Sequence, residues 1–164
     1  MALLLKTKDY LTLANAASGF MAMFAVIAFG FIPAAFLVFL AAFFDFVDGK
    51  IARAKKESDD FGKQLDSLAD AVSFCAAPAF IVSIAVLNPV VWFAALFFLM
   101  AGLIRLAKFN IQKEKHYVGL PTPIAGMALL ILAIPLALVS PFLTAALILA
   151  LGWLMLSKTV FKKH

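Results

Sequence analysis

The chain has 164 residues, 65% of them hydrophobic and 14% charged, with a net charge of +5 and a mean hydropathy of +1.06. No water-soluble core of this length needs so much apolar sequence, which excludes a soluble globular enzyme and identifies an integral membrane protein. The lone cysteine, Cys75, excludes a disulfide framework and a cysteine metal cluster, and no basic segment stands apart from the apolar runs to bind nucleic acid.

The first apolar run, Leu11 to Phe31, follows Lys6 and Lys8. At about 20 residues it exceeds the apolar core of a cleaved signal peptide, so it is expected to be a span. Further runs cover Ala34 to Phe44, Ala71 to Leu87, Val90 to Ile104, Ile124 to Val139 and Phe142 to Leu156. Several fall short of the about 20 residues that cross a bilayer, so those helices must continue into the neighbouring polar segments. The turns at Gly30 to Pro33, Leu87 to Pro89 and Ser140 to Pro141 carry no charge, whereas all fourteen basic residues fall in the remaining segments. The excess of Lys and Arg marks the cytoplasmic side. The expectation is therefore an all-α bundle of six transmembrane helices with both termini cytoplasmic. Trp92 near the outer face, and Tyr10, Tyr117 and Trp153 toward the inner one, suit interfacial anchoring. The longest polar interval, Lys55 to Gln64, is too short to fold alone, so residues 1–164 make a single domain.

Four of the nine acids form a fixed array: Asp45-x-x-Asp48-Gly49-x-x-Ala52-Arg53, eight residues, Gly62, three residues, Asp66, three residues, Asp70. Asp45, Asp48, Gly49 and Ala52 recur at spacings of three and four, which puts them on one helical face. Asp66 and Asp70 are one turn apart on the next helix, and the short connection makes the two helices antiparallel neighbours whose faces can meet. Asp45, eight residues before Arg53, sits about 12 Å deeper and below the headgroups. Four carboxylates converging in a low dielectric repel one another unless a positive charge lies between them. Mg²⁺ or Mn²⁺, hard cations that take oxygen ligands and share them with phosphates, meet that need. Two such ions would suit phosphoryl transfer. Glu57, Asp59 and Asp60, in the polar connection, are expected to be solvated charges.

Every fixed position of the array resembles the signature of the CDP-alcohol phosphotransferase family, D-x-x-D-G-x-x-A-R-x8-G-x3-D-x3-D. The resemblance implies a six-helix membrane enzyme, usually a homodimer, that moves a phosphatidyl or related group from a CDP-linked lipid to an alcohol and releases CMP. It further implies that Asp45, Asp48 and Asp66 bind Mg²⁺ or Mn²⁺, that Asp70 is both ligand and catalytic base, and that Asp48, Gly49, Ala52, Arg53 and Gly62 surround the CDP group.

The run Phe61 to Phe74 with Ala77-Pro78-Ala79, the stretch Arg105 to Asn110, and Gly119-Leu120-Pro121-x-Pro123 are similar to the phosphatidylserine synthase subgroup. So is Thr12-x-x-Asn15-x-x-x-Gly19, whose Asn15 the resemblance sets near the nucleotide. The donor it implies is CDP-diacylglycerol or CDP-archaeol, and the acceptor is L-serine. Two departures stand out: Cys75 replaces the usual Gly, and Lys108 the usual Arg. Arg105 and Lys108, one turn apart, are the candidate acceptor-binding pair. Because Lys cannot reproduce a bidentate Arg contact, another small alcohol such as inositol phosphate or glycerol phosphate stays open as acceptor. Asn110 could bond the acceptor or cap its helix, while His116 and His164 are expected in loop and tail. A divalent-cation transporter would also use buried acids, but its path needs polar residues at the outer face, where the turns offer only Asn88 and Ser140. A prokaryotic plasma membrane with the site facing the cytoplasm is the expected setting.

Overall fold

The computed structural model describes residues 6–55, 60–111 and 119–157, with the side chains of Thr7 and of residues 52–55 left aside. Its elements are α1 (Thr7–Ala28), α2 (Phe31–Lys55), α3 (Asp60–Asp70), a π-helical segment (Ala71–Ala76), α4 (Ala77–Val86), α5 (Pro89–Ile111), α6 (Thr122–Val139) and α7 (Pro141–Leu156). Among the described residues, five helices are long and apolar enough to cross a bilayer, with α3, the π segment and α4 forming one continuous rod, Asp60–Val86. The 16 residues of α7 reach about 24 Å, short of the about 30 Å hydrocarbon core. Length and composition together make the chain an integral membrane protein. As the short apolar runs require, α2, α3 and α5 carry on into polar sequence.

The uncharged turns are tight for local reasons. Gly30 takes φ +87, a conformation that costs other residues about 1 kcal/mol or more. Leu87 caps α4 in the left-handed region, its N–H donating to Ser83 O at 3.1 Å. Ser140 caps α7 by accepting from Phe142 N–H at 3.2 Å, and Pro141 follows where a helix needs no donor. Trp92, expected at this end, donates its indole N–H to Ser83 O at 3.0 Å.

Packing relies on small residues, as expected where lipid offers no hydrophobic drive between helices. Ala22 and Ala25 of α1 and Ala34, Val38 and Ala41 of α2 are buried, and these two helices pack along their length. Large apolar side chains such as Phe24, Phe36, Phe93 and Leu138 stay exposed on the outside.

The π segment is where the bundle converges. Ala77 N–H donates to Val72 O, five residues back. Pro78 has no N–H to offer Phe74 O, its partner in a regular helix. A glycine from a different helix closes on each of three successive residues: Gly19 of α1 on Ser73, Gly126 of α6 on Phe74 O, and Gly102 of α5 on the Cys75 sulfur. Ser73 adds a hydrogen bond to Asn15 O at 2.9 Å. Cys75, expected in the core, is fully buried there and fills the space beside Gly102.

Candidate active site

Helix α2 presents Asp45, Asp48 and Gly49, and α3 presents Asp66 and Asp70, to one cleft of about 310 Å³. Ser67, Arg105, Leu106, Phe109, Thr122 and Pro123 complete the described lining with Phe46. The two acidic faces do meet, although not through close packing of α2 on α3. Helix α1 packs against both and so holds the two helices in one assembly.

Asp45, Asp48 and Asp66 each bring one carboxylate oxygen within 4.8 Å of the other two. Oxygen ligands of Mg²⁺, at about 2.1 Å from the ion, lie at most about 4.2 Å apart. Closing by less than about 1 Å would thus let all three share one ion, and partly buried like charges at this spacing call for one. These three carboxylates can hold a divalent cation. One of them is braced already: the buried Thr12 hydroxyl donates to Asp48 Oδ2 at 2.7 Å.

Asp70 stands apart from this trio. It is buried, its Oδ2 lies 3.5 Å from the Thr122 hydroxyl, and its Oδ1 has no hydrogen-bond partner among the described residues. Thr122 in turn accepts from Arg105 Nη1 at 3.4 Å. Sequence reasoning passed over Thr122, because between Pro121 and Pro123 it looks like part of a loop. The signal lay in its type: a polar residue opening an otherwise apolar helix.

The other expected site residues divide. Gly49 and Arg105 line the cleft, whereas Lys108 is exposed on α5 and outside the lining. Asn15 is fully buried one turn along α1 from Thr12, and neither of its amide atoms has a hydrogen-bond partner among the described residues. Gly62 is buried near the start of α3, outside the lining. The side chains of Ala52 and Arg53, and His116, Tyr117 and His164 altogether, lie outside the described residues. Asn110 braces the site: it accepts from Ser67 Oγ at 3.0 Å and donates to Gln64 Oε1 at 3.3 Å. Lys63 caps the same end of α5, its ammonium 3.1 Å from Asn110 O and 3.4 Å from Phe109 O. Lys8, one of the basic residues that mark the cytoplasmic side, is buried at 7% exposure at the start of α1.

A family model described as CDP-alcohol phosphatidyltransferase matches residues 7–161. The chain belongs to this family. Among similar proteins, the CDP-diacylglycerol–serine O-phosphatidyltransferase of Bacillus subtilis is 36% identical over 162 residues, covering 94% of this chain and 90% of the relative. The enzyme of the same name from Methanocaldococcus jannaschii is 33% identical over 156 residues, covering 95% and 73%. The archaetidylserine synthase of Methanothermobacter thermautotrophicus is 33% identical over 127 residues, covering 74% and 54%.

Proposed function

We propose that the chain transfers the phosphatidyl or archaetidyl group of a CDP-linked lipid to the hydroxyl of L-serine and releases CMP. The observation that carries this is the cleft itself, which gathers three carboxylates and is lined as well by Asp70, Thr122 and Arg105. Asp45, Asp48 and Asp66 would hold Mg²⁺ or Mn²⁺, which neutralises the donor's diphosphate and stabilises the charge that develops on it. A second ion beside them is part of the same proposal.

Asp70 takes the proton of the acceptor hydroxyl as its oxygen bonds to the lipid-bearing phosphorus. The phosphorus–oxygen bond to CMP breaks, and CMP leaves with the electron pair. Arg105 suits the carboxylate of serine, which a guanidinium grips in a fork. Gly49 leaves the wall open beside Asp48, and Asn15, Ala52, Arg53 and Gly62 would serve the CDP group.

A phosphate-bearing acceptor such as inositol phosphate or glycerol phosphate would want several cations. Among the described residues lining the cleft, Arg105 is the one cationic side chain, which favours serine. Lys108 would have to turn inward to assist. Membership of a transferase family leaves the cation-transporter alternative without support. Six spans with both termini cytoplasmic, assembly as a homodimer and residence in a prokaryotic plasma membrane complete the proposal. The topology is supported by uncharged turns at one end of the bundle and the acidic cleft toward the other.

Purified protein given CDP-diacylglycerol or CDP-archaeol with Mn²⁺ or Mg²⁺ is expected to release CMP on addition of L-serine. CMP release only with inositol phosphate or glycerol phosphate would refute serine as the acceptor, and none with any of the three would refute the transferase. Thr12→Val is expected to weaken Mn²⁺ binding about 10-fold or more by freeing the Asp48 carboxylate. Titration followed by electron paramagnetic resonance checks this, with Thr12→Ser expected to restore affinity.

A further inference from the structure

We propose that Thr122 is the positioning residue of Asp70, holding its carboxylate in the orientation that receives the acceptor's proton. The inference deepens the transferase reading and rests on it. It starts from a division within the acidic array: Asp45, Asp48 and Asp66 bring oxygens together, whereas the described hydrogen-bond partner of Asp70 comes from α6.

The direction of the contacts carries the argument. A guanidinium has donors and no acceptor, so the Arg105 Nη1 contact to Thr122 Oγ1, at 3.4 Å, runs from Arg105 to the hydroxyl. The hydroxyl's single proton is then committed to Asp70 Oδ2, 3.5 Å away. Thr122 is fully buried. A carboxylate oxygen accepts more than one hydrogen bond, so the Thr122 contact orients the Asp70 carboxylate without closing it to the acceptor. The acceptor's O–H proton passes to the Asp70 carboxylate while its oxygen bonds to the lipid-bearing phosphorus and CMP departs with the electrons of the broken bond.

The same chain of contacts gives the acceptor's two ends one frame of reference. Arg105 faces the cleft beside Thr122, so the group that would grip a carboxylate is linked through one hydroxyl to the group that takes the proton. A small acceptor carrying both a carboxylate and a nearby hydroxyl fits that frame. Thr122 opens α6 immediately after Pro121, whose φ of −58 fixes the entry of the helix, so its hydroxyl is placed by the backbone as well as by packing.

The test compares Thr122→Val, which keeps the shape and removes the hydroxyl, with Thr122→Ser, which keeps the hydroxyl. Each is purified and assayed with CDP-diacylglycerol, L-serine and Mn²⁺. Thr122→Val is expected to lower kcat about 10- to 100-fold, the range set by losing a hydrogen bond to a charged group. KM for CDP-diacylglycerol and Mn²⁺ affinity are expected to stay within about 3-fold of the starting protein, the split that separates a loss in the chemical step from a loss in binding. Thr122→Ser is expected to recover most of kcat. An unchanged kcat in Thr122→Val overturns the proposal, as does a parallel loss of Mn²⁺ affinity, which would make Thr122 a support of the metal site. Failure of Thr122→Ser to recover kcat overturns it too, by assigning the methyl group rather than the hydroxyl. Absence of serine-dependent CMP release from the unsubstituted protein is a different failure, that of the transferase reading itself.

Discussion

Asp70→Asn is expected to lower kcat by about 10²- to 10⁴-fold, the span associated with loss of a general base, with the fold intact. The substitution is nearly isosteric, and an amide at position 70 can still accept from Thr122 through its oxygen. What it cannot do is take a proton from an alcohol, a poor nucleophile while still protonated. KM for the CDP-lipid should change little, because Asp70 lies outside the three-carboxylate group. Asp66→Asn provides the contrast: it removes one of three gathered oxygens and is expected to lose Mn²⁺ binding together with activity. Steady-state kinetics and Mn²⁺ titration of both variants separate the roles. Near-normal turnover by Asp70→Asn would remove it as the base.

Gly126→Ala is expected to cost about 1–3 kcal/mol of stability, as overpacking of a tight contact does, and most of the activity as well. A Cβ at this position would stand 2.6 Å from Phe74 O, and a backbone oxygen inside a helix cannot step aside. Either α6 or the π segment must move. Movement of the π segment displaces Asp70, its immediate neighbour in the chain, while movement of α6 displaces Thr122. Stability and catalysis are therefore coupled at this glycine. Gly30→Ala is the comparison, since its cost comes from the positive φ with nothing within 4 Å to strike, and the turn is remote from the cleft. It should lower thermal stability and leave kcat of the folded fraction unchanged. Equal retention of activity in both variants would contradict the coupling.

How much of this was legible beforehand depends on the range of the interaction. Asp45, Asp48, Asp66 and Asp70 were legible because helical spacing is local and intramembrane charge is rare. The uncharged turns were legible because Gly30, Pro89 and Pro141 act on their own backbone. The π segment was not, since shifting a hydrogen bond from four to five residues leaves an all-apolar pattern unchanged. Pro78, with its missing N–H, was the one local cue. Thr122 gained its place only when α6 approached α3, a distance of 52 residues along the chain. The burial of Lys8 was hidden for the same reason: charge near a terminus looks solvated until α1 packs against α2 and α3. Lys108 carries the opposite lesson, because the one-turn spacing from Arg105 does not bring both side chains to one cleft.

The central claim is that the acceptor's own hydroxyl oxygen becomes bonded to the lipid's phosphorus in this cleft. L-serine labelled with ¹⁸O in its hydroxyl, turned over with CDP-diacylglycerol and analysed by mass spectrometry and ³¹P NMR, tests it directly. The account predicts one ¹⁸O in the bridging position of the phosphoserine lipid and none in the CMP released. Labelled serine left unincorporated while CMP accumulates, or a lipid product without the bridging label, would contradict it.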